Sequence, residues 1–267
     1  MTILIYMTAG LSSRFGGMIK QFAEIGPNEE TLIEYSMNQA IPANFSKIIF
    51  IVGDLTEFAF REKFGNLYRG IKIEYAKQEF DKKLRDKPWG TVDALCSAIH
   101  LINEPCIVCN GDDIYGKSSF KILNDHLKNY NEDATLGYKL IETLPEKGMV
   151  NRGIFKIENN YVKILEEIFN ISKENYKEKS INPKTFCSMN IFALHPKSIK
   201  ELKNKLDNFK QKNYNERKLE CLLPNEISNL IKEKKIKMRI YNSNESWLGI
   251  TNPEDEIIVR ERLKNKS

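Results

Sequence analysis

Short apolar runs alternate with amphipathic helical patterns through the first half of this chain, and that alternation restricts its fold more than any other feature. Strands that take turns with helices pair in parallel, because each crossover helix returns the chain to the same edge of the sheet. The pattern therefore predicts an α/β fold with a largely parallel sheet. The predicted strands are Ile3–Met7, Lys47–Val52, Ile71–Lys77 and Cys106–Cys109.

Capping residues mark the starts of the helices between these strands. Thr31 and Glu34 have the spacing of a capping box, which predicts a helix over Leu32–Ala40. Thr91 follows a Pro-Trp-Gly turn and is expected to cap a helix over Val92–Leu101. A third helix is predicted over Ser118–Asn129, after the fourth strand.

The second half of the chain has a different texture, richer in strands. Asn159-Asn160 is typical of a hairpin turn, Ser172 to Lys184 is a polar stretch expected to form a loop or surface helix, and Pro196 opens a helix. No Pro/Gly/Ser-rich linker divides the chain, so one α/β domain over 1–267 with an inserted β-rich subregion is expected. The other predicted elements are strands Thr135–Ile141, Gly153–Ile157, Tyr161–Leu165, Phe186–Leu194 and Lys237–Tyr241, a helix over Glu216–Lys234, and a C-terminal helix opened by Asn252-Pro253.

Composition excludes several classes of protein. The net charge of +5 is spread over solvated helix faces, which suits a small anionic substrate and argues against nucleic acid. No apolar run approaches the ~20 residues of a membrane helix, and the chain opens on a strand without a basic leader, so a cytoplasmic protein is expected. Cys106 and Cys109 form a C-x-x-C motif, but a strand places them on opposite faces, which favours buried thiols over a metal or redox site.

The first strand leads into a loop of small residues that ends in basic ones. Gly10 permits a tight turn, Ser12 and Ser13 add short donors, and Arg14 and Lys20 supply positive charge for phosphate oxygens. The loop lacks the glycine pattern of a Walker loop or a dinucleotide fingerprint, which makes a nicotinamide-dependent oxidoreductase a poor interpretation. Taken alone, it is equally consistent with a phosphate cradle and with an ordinary loop.

Two adjacent carboxylates follow the fourth apolar strand. Asp112 and Asp113 come at its carboxyl end, where open α/β sheets bind ligands. Mg²⁺ prefers one or two carboxylates together with substrate phosphates, so a magnesium site is favoured over a solvated turn. Between loop and acids, Trp89-Gly90-Thr91 could bring N–H groups to a base or phosphate, or simply begin a capped helix.

In order, these motifs resemble those of the sugar-phosphate nucleotidyltransferases. The similarity continues through Cys187–Phe192 and Trp247-Leu248-Gly249-Ile250-Thr251, so it covers nearly the whole chain. It implies a Rossmann-like, glycosyltransferase-A-like three-layer α/β/α fold with a mixed, mostly parallel sheet and an inserted β-rich acceptor-binding subregion. The nucleotide-binding half would span about 1–130 and the acceptor-binding half about 131–267.

The resemblance also implies roles for individual residues. Asp112 matches the family's Mg²⁺ ligand, while Arg14 and Lys20 would bind the triphosphate and the attacking phosphate. The implied nucleotide-binding residues are Ala9, Gly10, Ser12, Ser13, Gln78, Gly90 and Thr91, with Gln78 and Gly90 at the base. The implied acceptor-binding residues are Asp113, Arg152, Asn190 and Glu166.

This chain departs from the family pattern at two positions. Many relatives carry an aspartate as second metal ligand where this chain has Gly249, so Thr251, Asp255 or water would have to replace it. Many also place Lys or Arg after the acid of the central strand, whereas Glu167 follows Glu166 here. These differences leave open a non-catalytic nucleotide-binding homologue and a nucleotide-sugar glycosyltransferase as alternative functions.

The implied reaction is one in-line displacement at the α-phosphorus of a nucleoside triphosphate, CTP or UTP being favoured. A phosphate oxygen of a small phosphorylated sugar, alcohol or amine attacks and pyrophosphate departs, in the synthesis of cell-surface polysaccharide precursors. The attacker is already nucleophilic, so positive charge from Mg²⁺, Arg14 and Lys20 is the main requirement. Nothing in the sequence fixes the oligomeric state, and a homo-oligomer is compatible with it.

Overall fold

A computed structural model describes residues 1–10, 19–182, 184–250 and 255–264. The first half contains strands β1 to β6 and helices α1 to α4. Their bounds are β1 Ile3–Met7, α1 Leu32–Ala40, β2 Lys47–Val52, α2 Glu57–Phe64, β3 Leu67–Tyr68, β4 Ile71–Lys77, α3 Thr91–Ser97, β5 Cys106–Asn110, β6 Asp113–Ile114 and α4 Lys117–Asn129.

The second half adds seven strands and four helices. They are β7 Asp133–Lys139, α5 Leu140–Thr143, β8 Val150–Glu158, β9 Tyr161–Ile171, β10 Phe186–Ser188, β11 Phe192–Leu194, α6 Pro196–Lys212, α7 Leu223–Lys232, β12 Met238–Asn242, β13 Leu248–Gly249 and α8 Asp255–Lys264. Single 3₁₀ turns occupy Lys20–Phe22, Ile41–Ala43 and Ile99–Leu101.

Eleven strands form one mixed sheet in the order β10-β8-β9-β12-β7-β11-β5-β1-β2-β4-β3. The run β5-β1-β2-β4 is parallel throughout, whereas β11 joins β5 antiparallel and β8 and β9 form a long antiparallel hairpin. Strands β6 and β13 make a separate small ladder, pairing Asp113 with Gly249. The expected α/β fold with a mixed, mostly parallel sheet and a β-rich subregion is confirmed.

Apolar side chains cover both faces of the parallel strands. One face carries Leu4, Ile107 and Cys109 and packs on α1 and α4, while the other carries Ile5 and Cys106 and packs on α3, α6 and α7. The two thiols of the C-x-x-C motif therefore lie on opposite faces, as expected, and all five cysteines are buried and free. Among the described residues, no helix is both long enough and apolar enough to cross a bilayer.

Several predictions of local structure were wrong. Gly90, not Thr91, precedes α3, and the Thr91 hydroxyl instead accepts a hydrogen bond from the Leu223 amide at 2.7 Å. Residues 186–194 form two strands, because Asn190 takes a left-handed conformation (φ 56°) between them. Helix α7 begins only at Leu223, with Pro224 in its first turn. The predicted start of α8 at Asn252-Pro253 lies outside the described residues.

Candidate active site

A cleft of about 1060 Å³ opens at the carboxyl ends of the parallel strands. Each strand contributes the residues that follow it, because parallel strands all point their carboxyl ends to one edge. The cleft wall includes Ala9 and Gly10 after β1, Gly53 after β2, Gln78 after β4, and Asn110 and Asp112 at the end of β5. This placement brings together residues that are far apart in sequence.

Asp112 and Lys20 form an ion pair in this cleft. The Lys20 ammonium donates to Oδ2 of Asp112 at 2.9 Å, and their side chains are 11% and 31% exposed. Lys20 is held by the 3₁₀ turn Lys20–Phe22, and Asp112 by the tight turn between β5 and β6. A partly exposed carboxylate beside a fixed ammonium is suited to a cation and to the phosphate oxygens that accompany it.

Asp113 faces the opposite way from its neighbour. It is 6% exposed, and Asn110 Nδ2 and the Tyr115 hydroxyl donate to its Oδ2 at 2.9 and 3.1 Å. Burial, with a smaller contribution from the charge of Asp112, raises the pKa of Asp113 to about 7. Asp113 therefore has a structural environment, whereas Asp112 is presented to the cleft.

Gly249 lies against Asp113 across the β6–β13 ladder. A Cβ at this position would lie 2.3 Å from the ring of Trp247 and 2.6 Å from Oδ1 of Asp113. The indole thus fills the space that a side chain at position 249 would need. Of the suggested substitutes, Asp255 lines a different cavity from Asp112, and Thr251 lies outside the described residues.

The other end of the cleft is formed by Gln78 and Gly90. Gly90 has a φ of 97°, and a Cβ there would lie 2.7 Å from the carbonyl oxygen of Cys221. Only glycine allows that close approach in this conformation. Thr91 also lines the cleft, although its hydroxyl is engaged by the Leu223 amide.

A second cavity, of about 700 Å³, lies on the Gly249 side of the two aspartates. Arg152 lines it and donates to the carbonyl oxygen of Thr143 at 2.7 Å, with its guanidinium 5.3 Å from the centre of the Trp247 ring. Burial lowers the pKa of Arg152. Arg262 and Lys147 add further positive charge to this wall.

The predicted acceptor residues do not all lie together. Glu166 is exposed on β9, 3.0 Å from Lys156, and does not line either cavity. Asn190 lies in the turn between β10 and β11 and is likewise absent from both walls. The neighbour Glu167 pairs with Gly153 across the hairpin, and burial raises its pKa although the charge of Arg152 opposes this. Ser12, Ser13 and Arg14 lie outside the described residues.

Sequence reasoning missed two contributors to the cleft. Gln21 is 4% exposed, lines the cleft, and its Oε1 has no hydrogen-bond partner among the described residues. The sequence feature that could have identified Gln21 is its position directly after Lys20. Glu220, from the second half of the chain, reaches the same cleft and pairs with Lys87. Nothing in the sequence indicated that residue.

Residues 216–221 pack against the loop at the Gln78–Gly90 end of the cleft. Arg85 is 3% exposed and donates to the carbonyl oxygens of Glu216 and Leu219, the latter at 2.6 Å, while its guanidinium stacks 3.4 Å from the centre of the Trp89 ring. The amide of Cys221 donates to the carbonyl of Trp89 at 2.7 Å. The second half of the chain thus fixes the loop that carries Gly90.

The donor set fits a weakly held divalent cation. Across residues 1–10, 19–182, 184–250 and 255–264, no group of three or more His, Cys, Asp or Glu side chains could hold a metal by protein ligands alone. Asp112 lines the cleft with a side chain that is 31% exposed. That arrangement suits Mg²⁺ bound jointly by protein and substrate phosphates.

The fold is an α/β fold with a cleft at the carboxyl edge of its parallel strands, which is where open α/β sheets bind ligands. The chain belongs to the nucleotidyl transferase family, whose model matches residues 16–254, and it is a nucleotidyltransferase. No curated protein matches it by sequence.

Solved structures with the same fold include three enzymes of low sequence identity. One is a putative glucose-1-phosphate thymidylyltransferase from Bacillus anthracis, with a TM-score of 0.73 and 14% identity over 99% of this chain and 96% of that one. The second is a UDP-glucose pyrophosphorylase complexed with UDP-glucose, with a TM-score of 0.67 and 16% identity over 100% and 99%. The third is a UTP-bound UGPase from Acinetobacter baumannii, with a TM-score of 0.67 and 11% identity over 100% and 94%.

Proposed function

We propose that this enzyme transfers a nucleoside monophosphate from UTP or CTP to a small phosphorylated acceptor, a sugar phosphate or a phosphorylated alcohol or amine, and releases pyrophosphate. The ion pair between Lys20 and Asp112, at the carboxyl edge of the parallel strands, is the observation that carries the proposal. Synthesis of cell-surface polysaccharide precursors is the setting that we propose for this reaction.

The Lys20 ammonium is the described positive charge nearest to Asp112. Two anions must approach each other in this reaction, so a fixed cation that neutralises phosphate oxygens lowers the barrier. Lys20 can donate both to Asp112 and to a phosphate, because an ammonium has three N–H donors. Oε1 of Gln21, which has no hydrogen-bond partner among the residues that the structure describes, lies in the same wall and is suited to a hydroxyl or N–H donor of a ligand.

Asp112 would hold Mg²⁺, with the remaining ligands supplied by substrate phosphates and water. A bound Mg²⁺ supplies electrostatic stabilisation of the charge that develops on phosphate oxygens. Asp113, buried and hydrogen-bonded by Asn110 and Tyr115, supports the turn that presents its neighbour.

The second cavity is the proposed acceptor side. Its wall combines an aromatic ring with positive charge, Trp247 with Arg152 and Arg262, which suits a small polar molecule carrying a phosphate. Asp113 and Gly249 separate it from the nucleotide cleft, so an acceptor there would lie beside the proposed cation site. Glu166 and Asn190 remain proposed acceptor residues without a place in this wall.

The experiment is pyrophosphate release measured across four nucleoside triphosphates and a panel of phosphorylated sugars, polyols and amino alcohols, each with Mg²⁺. The proposal expects one nucleotide–acceptor pair to release pyrophosphate in equal amount to a new nucleotide-linked product. If the enzyme transfers sugar from a nucleotide sugar and does not use free triphosphates, it is a glycosyltransferase and the proposal is wrong.

A non-catalytic nucleotide-binding protein is the second candidate, and Gly249 favours it. With glycine at this position and the indole of Trp247 over it, one carboxylate of the usual pair is missing. This candidate predicts nucleotide binding in calorimetry with no pyrophosphate from any acceptor in the panel.

A further inference from the structure

The amide of Gln78 is held in one orientation at the base end of the cleft. The residue follows β4, lines the cleft and is 8% exposed. Its Nε2 donates to the carbonyl oxygen of Gly90 at 3.1 Å and to Oδ2 of Asp93 at 2.8 Å. Because Nε2 makes both hydrogen bonds, Oε1 is the polar atom of this amide that remains to meet a ligand.

Two acceptors prevent the amide from turning over. A backbone carbonyl and an ionised carboxylate both accept hydrogen bonds and cannot donate them. A reversed Gln78 would point Oε1 at both oxygens, so it would lose two hydrogen bonds and gain repulsion. A glutamine without such neighbours could offer either end of its amide to a base.

Lys210 completes the arrangement from the second half of the chain. Its ammonium, on α6, donates to Oδ1 of Asp93 at 2.5 Å, while Asp93 is 7% exposed. A lysine ammonium only donates, so Asp93 receives one donor on each oxygen. Asp93 does not line the cleft, and it acts on the cleft only through Gln78.

We infer that Asp93 and Lys210 are positioning residues that make Gln78 a hydrogen-bond acceptor toward the base, and that the enzyme therefore prefers uracil or thymine to cytosine. Uracil and thymine carry an N–H at ring position 3, where cytosine carries a lone pair. An oxygen fixed opposite ring position 3 accepts a hydrogen bond from uracil or thymine and repels the lone pair of cytosine. The inference rests on the proposed function, since it identifies the cleft as the nucleotide site.

The test compares kcat/KM for UTP and for CTP with the same acceptor, and the dissociation constants of both nucleotides by calorimetry without acceptor. The wild-type enzyme is expected to favour UTP at least ~100-fold, because a polar site leaves its groups unpaired when the matching N–H is absent. Asp93→Asn is expected to reduce that ratio at least ~10-fold, the value of about one hydrogen bond. Asparagine can turn its NH₂ to Gln78 and so permits the reversed amide.

Two further variants separate positioning from folding. Lys210→Met leaves Asp93 with one donor fewer and is expected to reduce the UTP/CTP ratio about threefold, a fraction of one hydrogen bond. The matched control is Lys205→Met, on the same helix as Lys210, which removes a surface ion pair with Glu233. Its UTP/CTP ratio is expected to be unchanged. A loss of general stability would lower both kcat/KM values and leave their ratio unchanged.

The outcomes distinguish this inference from the proposed function. Equal use of UTP and CTP by the wild-type enzyme, or a wild-type ratio in Asp93→Asn, overturns the inference while transfer itself stands. A UTP preference in calorimetry with no product from any acceptor overturns the proposed function and supports the inference.

Discussion

The cleft at the carboxyl ends of the parallel strands and the second cavity lie on either side of Asp112 and Asp113, but they are built differently. The cleft is walled by residues that directly follow parallel strands, such as Ala9 and Gln78. The second cavity is walled by residues 142–152, the Trp247 segment and α8, which belong to loops, a hairpin and the C-terminal helix. Asp112 lines the first, while Asp113 contacts Gly249 in the wall of the second.

This difference suggests a division of labour. A cleft at the ends of paired parallel strands is fixed by the core of the sheet, which suits the part of a reaction that all family members share. A cavity of loops and helix ends can change without disturbing the core, which suits an acceptor that differs between enzymes. Gly249, one of the two positions at which this chain departs from the family pattern, lines the second cavity.

The largest effect is expected in the cleft. Asp112→Asn should lower kcat/KM for transfer about 10³-fold, since the variant removes the charge that positions the cation at the reacting phosphate. Pyrophosphate release and thermal unfolding measure activity and fold separately. Asp125→Asn, which removes a surface carboxylate paired with Lys121, is the control. Near-wild-type turnover in Asp112→Asn would remove the cleft from the chemistry.

A smaller effect is expected when the cleft loses a fixed positive charge. Lys20→Ala should lower kcat about 10²-fold, the scale of one charge-stabilising donor. Arg85→Ala should lower kcat by less than about tenfold and instead reduce the free energy of unfolding by roughly 2 kcal/mol, since it removes charged hydrogen bonds to three carbonyl groups. Steady-state kinetics and urea unfolding on both variants test this order, and equal losses of kcat would contradict it.

The second cavity should respond through the acceptor alone. Arg152→Met is expected to raise the acceptor KM about tenfold, because one charged contact is worth about 1.4 kcal/mol, while the nucleotide KM stays unchanged. Lys156→Met, at an exposed position of the same strand that lines neither cavity, is the control. A rise in the nucleotide KM of Arg152→Met would show that the two cavities do not divide the substrates.

The smallest effect concerns the stability that Asp133 contributes at the start of β7. Burial raises the pKa of Asp133, at the start of β7, to about 6, although Ser198 Oγ donates to it at 2.6 Å. The folded state holds this proton more tightly than the unfolded state, so the contribution is full below the unfolded pKa and is lost as pH rises through about 6. Between pH 5 and pH 7 the loss should be about 1 kcal/mol.

Urea unfolding of the wild-type protein and of Asp133→Asn over this pH range measures that loss. The variant should lack this part of the pH dependence and keep the remainder. A parallel slope in both proteins would show that Asp133 does not titrate in this window.

The two halves also differ in how well the sequence predicts them. Strands β1, β2 and β4 and helix α1 have the predicted bounds, because each is a local apolar run with its own cap or turn. In the second half β9 is longer than predicted. Its end is set by pairing with β8, and no turn or capping residue in the local sequence marks it. The break at Asn190 and the late start of α7 also depend on contacts with distant segments.

The site shows the same limit. Asp112 and Lys20 were found from their places after strands, and Gln78 and Gly90 from the family resemblance. Glu220 and residues 216–221 could not be found, because they reach the cleft through tertiary contacts such as Arg85 with Glu216. The resemblance selected Glu166, but in the folded hairpin Glu166 is exposed beside Lys156 and lines neither cavity.

The central claim is that one carboxylate, Asp112, holds the cation that joins nucleotide to enzyme. Electron paramagnetic resonance of Mn²⁺ with UTP tests it directly, compared among the wild-type protein, Asp112→Asn and Asp113→Asn. We expect one Mn²⁺ bound per chain in the wild-type protein and in Asp113→Asn when UTP is present, and none in Asp112→Asn. Undiminished Mn²⁺ binding in Asp112→Asn, or its loss in Asp113→Asn alone, would contradict the account.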